Sequence, residues 1–150
     1  MNLTIPPPII ALIAAFIMWV LHFAFPEADI FPSFIRYLAY LLVLAGITIE
    51  LVTVVRFIRL KTTINPLKTE RSKLLVTQGL FQYSRNPMYL GMLAVLLGFG
   101  LWLGNPISLF PLMGFVWYIT EFQIKPEETI LLQLFGDEYK AYQLRVRRWL

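Results

Sequence analysis

Two short stretches of this chain hold residues suited to chemistry. One is RNPMYLG, Arg85 to Gly91, at the junction between a basic polar segment and a mostly apolar run. Arg85 is a fork-shaped donor that keeps its charge. Asn86 precedes a proline and is steered away from helical geometry. Pro87 therefore opens a helix whose N–H groups near Met88 and Tyr89 stay free at its positive end, a setting suited to a carboxylate. Gly91, one turn in, presents a smooth patch to a flat ligand or to another helix. The second stretch is KPEETILL, where the adjacent Glu127 and Glu128 are placed to bind an ammonium or a hydroxyl-bearing ligand. Upstream, Gly79 permits a backbone turn closed to other residues. Each feature also has an ordinary structural use: Asn-Pro as helix punctuation, Gly91 as a packing glycine, Tyr89 as an interfacial aromatic, and the acids as caps or solvated groups. Their combination is what argues for a site.

The elements that must position these residues follow from composition. The 150-residue chain is 58% hydrophobic and 15% charged, with a mean hydropathy of +0.67. That is more apolar than a soluble domain and predicts an integral membrane protein. Cysteine is absent and His22 is the single histidine, which excludes disulfides, thiolate chemistry and a Cys- or His-rich metal site. A net charge of +4 gives no support to nucleic-acid binding. The N-terminus MNLTIPPPII lacks the charged region and cleavage site of a signal peptide, so the first apolar run is expected to remain as a membrane helix.

The fold class expected is all-α and polytopic, with about four transmembrane helices, each near the length needed to cross ~30 Å of hydrocarbon. The spans expected are about Pro8 to Phe25, Phe34 to about Leu60 with Ser33 as N-cap, Pro87 to Leu103, and Pro106 to about Phe122. Gly104 and Asn105 join the last two in a tight hairpin. Lys125 to Leu150 is expected to form an amphipathic cytoplasmic helix broken at Gly136. The chain is one membrane domain, with an N-terminal helical hairpin over 1–60 and a site-bearing half over 73–150. Lysine and arginine concentrate between Arg56 and Arg85 and again from Lys125 onward. The positive-inside rule therefore puts both segments, and both termini, in the cytoplasm. Arg56, Arg59, Arg145, Arg147 and Arg148 have either a functional role or only that of setting topology and attracting anionic lipid. Glu50, inside the second span, is a functional candidate by its position in the membrane or a hydrogen-bonded packing residue. His22 reads as an interfacial polar residue, and Glu121 as a possible neighbour of the acidic pair.

From Lys73 to about Trp149 the sequence resembles the isoprenylcysteine carboxyl methyltransferases and their wider relatives, the phospholipid N-methyltransferases. The shared pattern is carried by Leu75, Val76, Thr77, Gly79, Arg85, Pro87, Tyr89 and Gly91, then Asn105 to Ile107, then Glu127, Glu128, Phe135, Gly136, Glu138, Tyr139 and Tyr142. Lys73 and Asn86 stand where histidines are usual, and Phe81 stands for a tyrosine. Asn86 is shared with the Asn-Pro-Met-Tyr form of the phospholipid enzymes. The resemblance implies S-adenosylmethionine as cofactor, with Leu75 and Val76 bordering the adenine. Arg85, Pro87, Tyr89 and Gly91 would cradle the methionine portion, Gly79 and Asn86 would belong to the same cofactor site, Lys73 would contact the cofactor carboxylate or mark the cytoplasmic boundary, and Glu127 or Glu128 would bind the amino group or ribose. It implies no metal and a lipophilic small-molecule or lipid acceptor, a prenylcysteine-type carboxylate or a phospholipid amine, and the shortness of the third and fourth spans favours lateral entry of that acceptor from the bilayer. The membrane would be the inner or plasma membrane of a prokaryote or the endoplasmic reticulum of a eukaryote. Two other classes fit parts of the pattern: an NADPH-dependent sterol-reductase-like enzyme and a non-enzymatic membrane scaffold.

Overall fold

A computed structural model describes residues 5–26, 30–59 and 74–150. Among these all the regular secondary structure is helical. α1 spans Pro7–Ala24, α2 Ile35–Arg59, α3 Pro87–Leu103, α4 Phe110–Ile119 and α5 Lys125–Arg145. Short 3-10 turns at Gly79–Gln82 and Pro106–Leu109 lead into α3 and α4. The expected helix starts at prolines are found at Pro7, Pro87 and Pro106, where the missing N–H removes a donor that would have had no partner. At α2 the carbonyls of Pro32, Ser33 and Phe34 form the entering turns, and the helix proper begins at Ile35.

α1, α2 and the stretch Pro106–Arg145 are each long and apolar enough to cross a membrane, while α3 is shorter at 17 residues. At 1.5 Å per residue α3 is roughly 25 Å long, just under the hydrocarbon thickness. The helix that begins at Pro106 does not stop near Phe122, where its apolar part ends. After Ile119 the backbone widens into a π turn, Thr120–Ile124, and runs directly into α5, giving one helical stretch of 40 residues. The break at Gly136 is present as a kink, with φ +50.

The helices alternate in direction. At one end Gly104, in the left-handed region with φ 83, closes α3, and its carbonyl accepts from the N–H groups of Ile30 and Phe31. Beside it Asn105 donates from Nδ2 to the Phe25 carbonyl at 2.7 Å and accepts from the Ile107 N–H at 2.8 Å. At the other end Gln123 donates from Nε2 to the Ile5 carbonyl at 2.7 Å, so the start of α1 and the start of α5 meet there.

α3 sits at the centre. Its Tyr89, Met92, Leu96 and Leu103 are buried against α1 and α4, in one core with Met18, Phe115 and Ile119. Its opposite face lies against α2 through glycine. A Cβ added at Gly46 would stand 2.6 Å from the Gly91 carbonyl oxygen, and one at Gly91 would stand 2.9 Å from the Gly46 carbonyl oxygen. Gly98 repeats the pattern, with its added Cβ 2.7 Å from the Ala39 carbonyl oxygen. Backbone approach of this kind holds helices together where lipid removes the hydrophobic drive between them. Leu12, Phe16, Leu41, Leu44 and Leu51 on α1 and α2 are exposed, as side chains facing lipid would be.

Replacing Gly46 with alanine forces a methyl group into backbone that cannot yield, with an expected cost of about 2 kcal/mol. Gly114, with open space around its Cβ position, is the control: alanine there leaves stability unchanged or raises it by up to about 1 kcal/mol. Chemical unfolding of the detergent-solubilised variants measures both.

Candidate functional site

The 3-10 turn at Gly79–Gln82 begins the site. Gly79 has φ +67, which only glycine adopts without strain, and the turn brings the Phe81 carbonyl to the Tyr142 hydroxyl, which donates to it at 2.6 Å. Around that bond Val76, Phe81, Tyr139, Tyr142 and Val146 form a second buried cluster, with Leu75 and Phe135 packed at its edge. Burial pushes the Tyr142 hydroxyl up and the Tyr139 hydroxyl up to about 12, the latter helped by the charge of Glu128.

Beyond the turn the chain reaches Arg85, whose backbone N–H donates to the Arg147 carbonyl at 3.0 Å. Asn86 donates from Nδ2 to the Arg148 carbonyl at 2.9 Å, and its own N–H donates to Ser84 Oγ at 3.1 Å. The C-terminal residues after α5 are thus strapped across the start of α3. The strap is closed by the Trp149 indole, which donates to Thr120 Oγ1 at 3.2 Å.

These anchors assemble a charged network. Arg85 Nη2 lies 3.0 Å from Glu128 Oε1. Arg148 grips the same carboxylate with two donors, Nε to Oε1 at 3.1 Å and Nη2 to Oε2 at 2.7 Å. The Arg85 and Glu128 side chains are only 10% and 11% exposed, so the pair is screened from water, and the second arginine supplies the geometry such a pair requires. The hydrogen bond to Glu128 holds the Arg148 guanidinium pKa above its ordinary value. Next to it the Tyr89 hydroxyl donates to Glu127 Oε1 at 2.5 Å. Glu127 lies beyond the apolar part of its helix, which ends near Phe122. Burial pushes its carboxyl up to about 7, with the Tyr89 hydrogen bond opposing the rise and the Glu128 charge adding to it.

The positions marked in the sequence fall into three groups. Arg85, Tyr89, Glu127 and Glu128 meet in the network, Asn86 and Pro87 form its backbone edge, and Leu75, Val76 and Gly79 shape the adjoining cluster and turn. Gly91 faces α2, where the Glu50 Cγ would lie 2.8 Å from an added Cβ, so its small size serves the helix seam. Lys73 lies outside the described residues. Glu121 pairs with Lys125 on its own helix face, half-exposed, and takes no part in the network. Arg148 is the addition. Locally it belongs to a run of arginines that topology alone explains, and only the strap turns it onto Glu128.

The chain matches the model of the family described as phospholipid methyltransferase over residues 34–138. It belongs to that family. The match begins at α2 and so reaches further toward the N-terminus than the motif-bearing half. Among related proteins, an uncharacterized protein of Haemophilus influenzae is 49% identical over 63 residues, covering 42% of this chain and 100% of the relative. The protein-S-isoprenylcysteine O-methyltransferase of Schizosaccharomyces pombe is 35% identical over 79 residues, covering 53% of this chain and 34% of the relative. A probable protein-S-isoprenylcysteine O-methyltransferase of Oryza sativa subsp. indica is 31% identical over 125 residues, covering 80% of this chain and 65% of the relative. The chain thus spans 34% to 65% of the length of these two named methyltransferases. In this member of the phospholipid methyltransferase family, the motif residues and the acidic pair converge at one end of the helical bundle.

Two expectations follow. Removing Glu128 as alanine leaves two arginines facing one another with no counter-charge, at an expected cost of about 3 kcal/mol. Lys125→Ala, which breaks only the half-exposed pair with Glu121, costs under about 0.5 kcal/mol by the same unfolding assay. The second concerns pH. Glu127 ordinarily titrates near 4.5 and is raised to about 7 in the fold. Between those values the folded chain holds a proton that the unfolded chain has released. The contribution is complete below about pH 4.5 and is lost as pH rises through about 7. Thermal unfolding followed from about pH 5 to about pH 8 is expected to show this decline in wild type and its loss in Glu127→Gln.

Proposed function

We propose that this chain transfers a methyl group from S-adenosylmethionine to a lipophilic acceptor at the cytoplasmic face of a membrane. The observation that carries the reading is the network of Arg85, Glu128 and Arg148 with the Tyr89–Glu127 pair beside it, in a chain of the phospholipid methyltransferase family. Its donor set fits the cofactor. Arg85 keeps its Nε buried and without a partner among the described residues, a donor available to a carboxylate. Glu127 has one oxygen engaged by Tyr89, which leaves the other for an ammonium or ribose hydroxyl.

On this reading Arg85, Asn86, Pro87 and Tyr89 form the cradle for the methionine portion, with Gly79 at its approach. Leu75 and Val76 border the adenine, and Glu127 or Glu128 takes the amino group or the ribose. When bound, S-adenosylmethionine supplies a methyl group already activated on sulfonium. The protein's own part is then to hold an acceptor in line and keep water out. The buried apolar cluster of Val76, Phe81, Tyr139, Tyr142 and Val146 provides a dry wall for that purpose. The basic segments around Arg56 and beyond Lys125 favour the cytoplasmic side. The short α3 keeps the site near the lipid headgroups, which favours lateral entry of the acceptor.

The relatives' names favour a prenylcysteine-type carboxylate, and the family's name favours a phospholipid amine. Calorimetric titration of S-adenosylhomocysteine onto detergent-purified protein tests the site. Saturable binding is expected, weakened about tenfold in Arg85→Lys and in Glu127→Gln, each first shown to be folded by thermal melting. Equal binding by all three forms would remove the proposed site. Incubation with isotopically labelled methyl donor then separates the acceptors: label on a carboxylate is released as methanol by mild base, whereas label on an amine is retained.

A further inference from the structure

The last turns of α2 and the Gly79–Gln82 turn enclose a groove of about 500 Å³ away from the charged network. Its walls include Leu51, Val52, Val55, Leu80 and Phe81, and its rim holds Arg56 and Arg59. The first three are on the outward face of a membrane-length helix, 60%, 48% and 45% exposed. The groove is therefore apolar on the membrane side and positive at the helix end. Arg56 is set in place: Nη2 donates to Gln78 Oε1 at 3.2 Å, and Nη1 lies 3.1 Å from the position a Cβ would take at Gly79. Its Nε is buried with no partner among the described residues, and none of the ion pairs found among those residues involves Arg56 or Arg59.

We infer that this groove holds one anionic phospholipid of the adjacent leaflet, with an acyl chain along Leu51, Val52 and Val55 and the phosphate on Arg56 and Arg59. Charge complementarity selects the head: two guanidinium groups at a membrane surface attract an anionic lipid, and the effect is confined to charges near that surface. The apolar wall selects a lipid over a free anion, because a free phosphate gains nothing from it. Glycine at 79 leaves room for the Arg56 guanidinium beneath the turn. The turn also carries the Phe81 carbonyl bonded to Tyr142, so a lipid seated here touches the wall of the site without entering it. This inference goes beyond the methyltransferase reading and stands if that reading fails.

Native mass spectrometry of the full chain, delipidated in detergent, tests it by titration with phosphatidylglycerol and with phosphatidylcholine. A single phosphatidylglycerol adduct is expected at a concentration about tenfold lower than phosphatidylcholine requires. The double change Arg56→Gln and Arg59→Gln is expected to abolish the preference. Val55→Trp, which fills the groove and leaves the charges in place, is expected to weaken both adducts. Arg36→Gln, at the opposite end of α2, is expected to change nothing. Equal uptake of the two lipids, or a preference that survives the double change, would overturn the inference. So would displacement of the lipid by millimolar inorganic phosphate, which would reveal a site for ions alone, or a protein dimer forming in place of the adduct.

Discussion

Two adjacent carboxylates at the end of an apolar bundle cannot be left without partners, and the arrangement at this end of the bundle follows from that constraint. Glu128 is held by two arginines and Glu127 by the Tyr89 hydroxyl. The partners come from different parts of the chain: Arg85 from the approach to α3, Tyr89 from its first turn, and Arg148 from the residues after α5. Satisfying the two acids therefore fixes three segments relative to one another. A lone ion pair would do less, because removing charge from water costs several kcal/mol and only multiple, well-directed donors offset it.

That arrangement depends in turn on where α3 stands. Tyr89 and Gly91 are two residues apart, which on a helix places them on nearly opposite faces. One face carries the tyrosine toward α1, α4 and the acidic pair, and the other presents bare backbone to α2. The glycine seam sets how far α3 can move toward α2 and hence how far the Tyr89 hydroxyl stands from Glu127. A side chain at Gly46 or Gly98 would displace the helix that carries the site.

Much of this was legible in residue types. Proline marks the starts of α1, α3 and the turn before α4, and the Gly104–Asn105 hairpin and the break at Gly136 follow from glycine punctuation. The convergence of RNPMYLG with the glutamate pair could be anticipated because both lie at the same end of antiparallel spans. What remained hidden depends on distance through space. Arg148 is one of several arginines in a basic tail, and nothing local distinguishes it from Arg147. The second use of Gly91 was open between ligand and helix, since small residues serve both. The end of the fourth span was placed near Phe122 because charge begins there, yet helix propagation does not stop where hydropathy does. Lys125 and Glu127 are acceptable helix residues once a helix is nucleated, and Pro126, which has no N–H to donate, falls directly after the widened π turn, in the first turn of α5.

The π turn at Thr120–Ile124 explains why that continuation matters. A π turn holds one residue more than an α turn, so each side chain beyond it is rotated by about 100° from where an unbroken helix would carry it. The rotation separates two demands made on one helix. Before the turn, Phe115 and Ile119 are buried in the membrane-spanning core; after it, Glu127 and Glu128 face α3 and the C-terminal strap. The backbone distortion is held from both sides, by the Trp149 indole on Thr120 Oγ1 and by Gln123 on the Ile5 carbonyl. Both ends of the chain thus secure the one irregular turn that aims its acidic pair.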